Sequence, residues 1–570
     1  MFLLWRSFRG FCWTDESFYV STADRFWRGD IPLVNEWFRT QMSSVIMLPF
    51  YSLYMLIAGS NTGIILYFRI LYLLFSTAVA LVWHHVLRRQ YPDHVALAAG
   101  LIIMCYAHLN NATLSYYMLS TLAMSLALIL IYDHMNKAGR YKLVFAGFMI
   151  ALSVLSMPLF AVGYVLVMLF VLIAIIIGRI PQTPPKLKEV IASLKLWEIT
   201  VCTLIGIAVP AVIFIILMIS RTDIGSIIRT LPYALVDREH SNTWGYYIRK
   251  PHRCLMDVFG IYTYVAYAII AVSFAFQKIL KKHPLCELVV LADCLLFAVM
   301  AYLSAGHTGY ILVAFFMFMI PVFFVSERKN HVLFWLCSIP AVIVAITYSF
   351  ASSDFLYVIA LGLSIASGAG VCVLYDHVSG NVQTSEGTMR KLMTAVSVLL
   401  VIVCVFTVGD TFVLRMKNVY RDAPVSELDQ RITTGIAKGL YTTEEHLQQY
   451  NDVYTVVNDY CRGDGYVLFS KILPWGYLVS EKRCGYPTTW RATAYDDEQL
   501  EMYYKINPFA CPDVIIVLDE QYGSYDASGD VEDDHNPNLD EMGDYWKDYI
   551  RASDMDERKV KCGKVYRKGE

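Results

Sequence analysis

The chain has 570 residues, of which 56% are apolar and only 17% charged, a balance that excludes a set of ordinary water-soluble domains and points to a membrane protein that crosses several times. Its formal charge of −2 joins two unlike parts: residues 415–570 carry 19 Lys and Arg against 29 Asp and Glu, which leaves an excess of +8 upstream. The acidic tail excludes nucleic acid as a partner, since phosphate binding needs clustered Lys and Arg, and 13 cysteines without a CxxC pair argue against structural zinc or a redox motif.

Residues 13–41, WTDESFYVSTADRFWRGDIPLVNEWFRTQ, form the densest polar and aromatic run of the first 414 positions. Thr14 suits the N-cap of a helix whose first turn holds Asp15 and Glu16, and Gly29 suits its end before the turn Gly29-Asp30-Ile31-Pro32. Acidic residues in a first turn complement the helix dipole, and Trp13, Phe18, Tyr19, Phe26, Trp27 and Trp37 fit an interfacial belt. A purely structural reading is therefore open for this run. The next segment, Gln41–Gly59, is apolar, but Pro49 within it, with Tyr51 and Tyr54, favours a broken interfacial element over a span.

Twelve apolar windows long enough for a bilayer follow, near 62–86, 94–109, 112–132, 141–156, 158–179, 197–219, 256–278, 285–304, 309–325, 332–350, 355–375 and 391–414. Alternation from the Arg88–Arg89 loop collects sixteen Lys and Arg on one side, while the short loops of the other side hold none. Lys and Arg mark the cytoplasmic side, so the loop 220–254 and everything after Leu414 belong outside. Placing residues 11–40 outside as well requires a preceding helix, and Met1–Trp5 is too short to supply it. The topology thus implies a first helix missing from this sequence.

Two adjacent carboxylates at a membrane surface, with Arg25, Arg28, Arg39 and Gln41 in the same loop, offer a base and several anion-binding donors. Neighbours on a helix point about 100° apart, so Asp15 and Glu16 cannot share one task. One can take a proton from a substrate hydroxyl while the other orients an arginine or a metal ion. Arginine fits a departing phosphate through its bidentate geometry.

With these residues the chain resembles the GT-C class of integral-membrane glycosyltransferases, whose donor is a sugar linked to a polyprenyl phosphate. The resemblance rests on Asp15-Glu16 in the first outer loop, on the runs R-F-W-R-G-D-I-P at 25–32 and T-Q-x-S-S-x-x-x-L-P at 40–49, and on the many-helix body. It implies a mainly α, polytopic helical bundle with an inverting transfer: Asp15 deprotonates the acceptor hydroxyl, and Glu16 organises the site or shares a divalent cation, Mg or Mn. Arg25, Arg39, Gln41 and Arg69 then become candidates for the donor phosphate, and the acceptor is a glycan, lipid or protein of the cell envelope. An outward-facing site with a polyprenol donor suits a bacterial plasma membrane.

In the loop 220–254 a solvated mixture of charges is the ordinary reading, yet Trp244 and Arg249 suit an acceptor platform. His307, in a short outer turn, is a candidate phosphate contact. The tyrosines and His108 at 106–117 read as helix ends at the interface. After Leu414 the pattern changes to helices at 442–460 and 496–504 and short buried strands at 466–470 and 514–518, a small α/β domain outside the membrane. Its cysteines Cys461, Cys484, Cys511 and Cys562 allow a disulfide without choosing one. The chain thus divides into 1–61 as first loop, 62–414 as bundle and 415–570 as soluble domain. Two rivals remain: a transporter or lipid-linked-glycan flippase, against which the spans show no internal repeat, and a non-catalytic envelope assembly protein.

Overall fold

The computed structural model describes residues 1–180, 195–234, 244–280, 332–349, 356–384, 386–417, 419–522 and 542–569, with single positions within 184–188 and 285–303. Three helices come first, α1 (Phe2–Arg6), α2 (Asp15–Trp27) and α3 (Met42–Ala58). The helical body runs through α4 (Ile64–Leu87), α5 (Asp93–Cys105), α6 (Tyr116–Asn136), α7 (Arg140–Ser156), α8 (Phe160–Arg179) and α9 (Leu196–Ile219). It continues with α10 (Ile224–Ala234), α11 (Trp244–Phe259), α12 (Thr263–Leu280), α13 (Val332–Ser349), α14 (Leu356–Thr384) and α15 (Gly387–Lys417).

Among the described residues six helices are long and apolar enough to cross a membrane: α4, α6, α8, α9, α13 and the Ala360–Gly380 part of α14. Of the twelve apolar windows, some give shorter helices and some lie outside the described residues. The windows 94–109 and 141–156 give helices of 13 and 17 residues, about 20 and 26 Å long against a core of about 30 Å. The window 256–278 is interrupted between Phe259 and Thr263, where Gly260 takes φ +53°. The windows 285–304, apart from single positions, and 309–325, with His307 before it, lie outside the described residues.

Contacts at the helix ends separate two faces. At one, Asp133 on α6 receives Arg89 and, at 2.8 Å, Lys142; Arg140 meets Glu198 at 2.8 Å and Tyr91 bonds Asp376 at 2.9 Å. This is the face to which the basic loops were assigned. Within the body, α7 and α9 touch backbone to backbone. A Cβ on Gly147 would lie 2.0 Å from the Thr203 carbonyl oxygen, and one on Gly206 would lie 1.9 Å from that of Val144, the small-residue contact that membrane helices use in place of a hydrophobic driving force.

The helix α3 is continuous despite Pro49. Near its start Ser44 bonds the Tyr19 carbonyl of α2 at 2.8 Å, and just past its end Asn61 bonds the Leu478 carbonyl at 2.9 Å. One end thus meets the first loop and the other the tail, and Phe50, Leu53, Leu56 and Ile57 stay exposed along it.

The tail forms a mixed sheet in the order β4-β3-β5-β7-β6, built from β3 (Tyr466–Phe469), β4 (Arg483–Cys484), β5 (Val514–Leu518), β6 (Met555–Val560) and β7 (Gly563–Lys568). Before it, β1 (Gln430–Arg431) pairs β2 (Tyr441–Thr442) antiparallel. The run VIIVL of β5 is buried throughout, as an apolar central strand should be, whereas MDERKV of β6 is mostly exposed and charged, as an edge strand tolerates. Helices α16 (Glu444–Tyr460), α17 (Pro474–Val479), α18 (Asp497–Ile506) and α19 (Asp544–Ala552) complete it. The four tail cysteines are free thiols.

Residues 1–61 do not stand apart from this tail. Gly10 and Phe8 exchange backbone bonds with Tyr441 at 2.8 and 2.9 Å, the Trp37 amide donates to the Pro487 carbonyl at 2.8 Å, and Asn35 donates to Asn507 at 2.8 Å. The first loop is a middle layer, packed between the helices and the sheet.

Candidate functional site

Thr14 is the N-cap of α2 by position, but its hydroxyl does not cap the helix; it donates to Asp15 Oδ2 at 2.9 Å. That leaves the first turn to the two carboxylates, and their surroundings differ. Glu16 is fully buried. Arg69 of α4 donates to it twice, Nε to Oε1 at 2.5 Å and a terminal nitrogen to Oε2 at 2.7 Å, and the other terminal nitrogen donates to the Ser7 carbonyl at 2.8 Å. Asp15, one residue earlier, is half-buried, and among the described residues only Thr14 hydrogen-bonds to its side chain. Oδ1 remains open.

Around Asp15 stand aromatic and cationic groups. Tyr19 packs edge-on to Tyr116 at 5.6 Å, Tyr116 lies 3.8 Å from Tyr117, and Tyr117 contacts His108 at 4.0 Å and Tyr348 at 5.6 Å. Burial, then the Asp15 charge, raises the Tyr19 hydroxyl well above its ordinary pKa, and the same two causes raise that of Tyr420. Burial alone depresses His108 to about 3, so it is neutral. Cys12 is pushed up to about 12 by burial and then by Asp15 and Glu16, so it stays a thiol. Two arginines supply positive charge: Arg39, half-buried, reaches Tyr116 electrostatically as Asp15 does, and Arg421 reaches Asp15. Arg421 sits in the left-handed region at φ +62°, its guanidinium 5.3 Å from the Tyr420 ring. A non-glycine residue held there costs of order 1 kcal/mol or more and persists only when its surroundings fix it.

Asp422 does the fixing. Fully buried, it accepts the Phe11 amide at 2.7 Å, the Thr442 hydroxyl at 3.0 Å and the His446 ring at 2.7 Å, tying the exit of α15 to the first loop and to α16. The space beside Arg69, bounded by Cys12, Asn111 and Tyr420, holds about 10 Å³, room for a single water.

No protein-family model matches the chain. A search of curated proteins finds no match either.

Several sequence expectations are redirected. Arg25 is no phosphate ligand in this arrangement: its guanidinium meets Asp30 at 2.6 Å, Glu36 at 2.9 Å and the Asn35 carbonyl at 2.6 Å within the loop, and the Tyr486 carbonyl of the tail at 3.0 Å. Gln41 accepts the Leu33 amide at 2.7 Å, where Leu33 takes φ +65°, and so shapes the loop. Both Glu16 oxygens accept from Arg69, so a cation shared by Asp15 and Glu16 would compete with that pair. Trp244 and Arg249 are exposed on α11. Arg69 does reach the first loop, as its place on α4 suggested. Tyr420, Arg421 and Asp422 went unremarked in the sequence; the signal was an aromatic-cation-acid triplet directly after the last apolar window.

Proposed function

We propose that the protein is a membrane glycosyltransferase that moves a sugar from a polyprenyl-phosphate donor to a hydroxyl of an envelope glycan, lipid or protein on the outer face. The division of labour at the head of α2 carries this reading: Glu16 is neutralised by Arg69 while Asp15 keeps an open oxygen. Asp15 Oδ1 takes the acceptor proton as the acceptor oxygen attacks the anomeric carbon. The bond from that carbon to the phosphate oxygen breaks, polyprenyl phosphate leaves and the anomeric configuration inverts. Arg39 and Arg421 supply counter-charge for the departing phosphate at the edge of a low-dielectric layer. Glu16 and Arg69 hold the turn that aims Asp15.

A transport reading draws on one observation, the buried Asp293, to which Ser273 donates from α12; a carboxylate within an apolar segment marks an ion or substrate path in many carriers. One reconstituted assay separates the two. With a polyprenyl-phosphate sugar and an acceptor, Asp15→Asn should lose transfer by 100-fold or more, and Glu16→Gln should lose it in step with its loss of folded protein. Full transfer by Asp15→Asn refutes the mechanism. Sugar movement across the vesicle without a new glycosidic bond favours the carrier.

A further inference from the structure

The helices α10 and α11 lie in sequence between α9, a candidate span, and the apolar helix α12. Each is amphipathic, yet its apolar side faces away from the protein. On α11, Trp244 and Ile248 are one turn apart and 79% and 78% exposed. The opposite side is the one that docks: Lys250 is buried and donates to the Ser349 carbonyl at 2.7 Å. On α10 the same inversion holds, with Ile224, Ile228 and Leu231 exposed while Thr230 and Ala234 are buried. In water such faces would be turned inward.

Cations flank the apolar rows. Arg249 and Arg253 are exposed and one turn apart; Arg249 donates to the Gly245 carbonyl at 3.0 Å and Arg253 lies 5.7 Å from the Tyr246 ring. Among the described residues neither forms an ion pair. On α10, Arg229 is exposed beside Ile228. Apolar side chains with a tryptophan, bordered by exposed arginines, are the chemistry of a helix lying in a headgroup layer of negative charge. From this arrangement we infer that α10 and α11 form an in-plane platform that binds anionic phospholipid, with Trp244, Ile248 and Ile228 among the acyl chains and Arg229, Arg249 and Arg253 on the phosphates. Through Tyr233 of α10, stacked on Trp37 at 5.2 Å, the platform touches the first loop. The lipid contact itself is independent of the sugar-transfer chemistry.

The full chain in nanodiscs tests this with spin-labelled phosphatidylglycerol and phosphatidylcholine. Wild type should hold phosphatidylglycerol preferentially, and Arg249→Glu/Arg253→Glu should lower that preference by roughly five-fold or more, the partition ratio expected for one cation at an anionic surface. An equal preference in variant and wild type, or none in wild type, overturns the platform. The difference in tryptophan emission between wild type and Trp244→Phe gives a second reading. Quenching of that component by shallowly brominated lipid supports the inference; quenching by aqueous iodide alone overturns it and assigns the face to a soluble partner.

Discussion

Removing Arg69 should test the site's architecture most directly. The Arg69→Met side chain keeps the apolar stem within α4 but leaves the Glu16 carboxylate buried with no counter-charge, and breaking one side of a buried pair costs about 3–5 kcal/mol. Two carbonyl contacts, to Ser7 at 2.8 Å and Arg9 at 3.3 Å, are lost as well, each worth about 1 kcal/mol. Replacing both partners, Glu16→Gln/Arg69→Met, removes the stranded charge, so the double variant should be more stable than Arg69→Met by about 2 kcal/mol or more. Equilibrium unfolding in mixed micelles, followed by tryptophan emission, measures all four corners of the cycle. If the two single costs simply add to the double, or if Arg69→Met alone costs less than about 1 kcal/mol, the pair does not hold the head of α2 as described.

Asp422→Ala should cost about 2–4 kcal/mol, because it strands the Phe11 amide and frees the Arg421 turn; limited proteolysis near residue 420 should accelerate, and unchanged cutting would count against it. Gly206→Leu should separate α7 from α9, since even a Cβ meets the Val144 carbonyl at 1.9 Å; melting no lower than wild type would refute the close contact. Burial pushes the Glu36 carboxyl from 4.5 up to about 7 despite the nearby Arg25. An acid raised on folding holds its proton more tightly when folded, so its contribution is full below about pH 4.5 and is lost as pH rises through about 7, by up to about 3 kcal/mol. Glu36→Gln should flatten that fall, and an equal slope in both proteins refutes it.

What the sequence made legible follows from local physics. The span from Gly63 to Leu87 is apolar enough to declare itself, the α2 boundaries follow from Thr14 and Gly29, and β3 and β5 follow from short apolar runs between turns. Pairing across the chain was not legible. Arg25 and Arg69 look alike as side chains, yet one also reaches the Tyr486 carbonyl 461 positions away and the other pairs with Glu16 53 positions away. The β6–β7 hairpin escaped notice since the charged run MDERKV has no apolar alternation to mark an edge strand. Arg421 carried no signal of its own in the sequence; the fold of the tail back toward Asp15 gives it a place.

The middle position of the first loop also sets a timetable. Arg25 waits for the Tyr486 carbonyl, 461 residues later, and at about 5–20 residues per second the ribosome needs roughly half a minute to a minute and a half to deliver it. Until then Phe11, Trp37 and the Arg25 cluster lack their sheet-side cover, and the turn at Tyr420 and Arg421 does not yet exist. Asp15 is thus made long before its last neighbours, so a chain stopped anywhere within the helical body carries Asp15 without Tyr420 and Arg421 beside it.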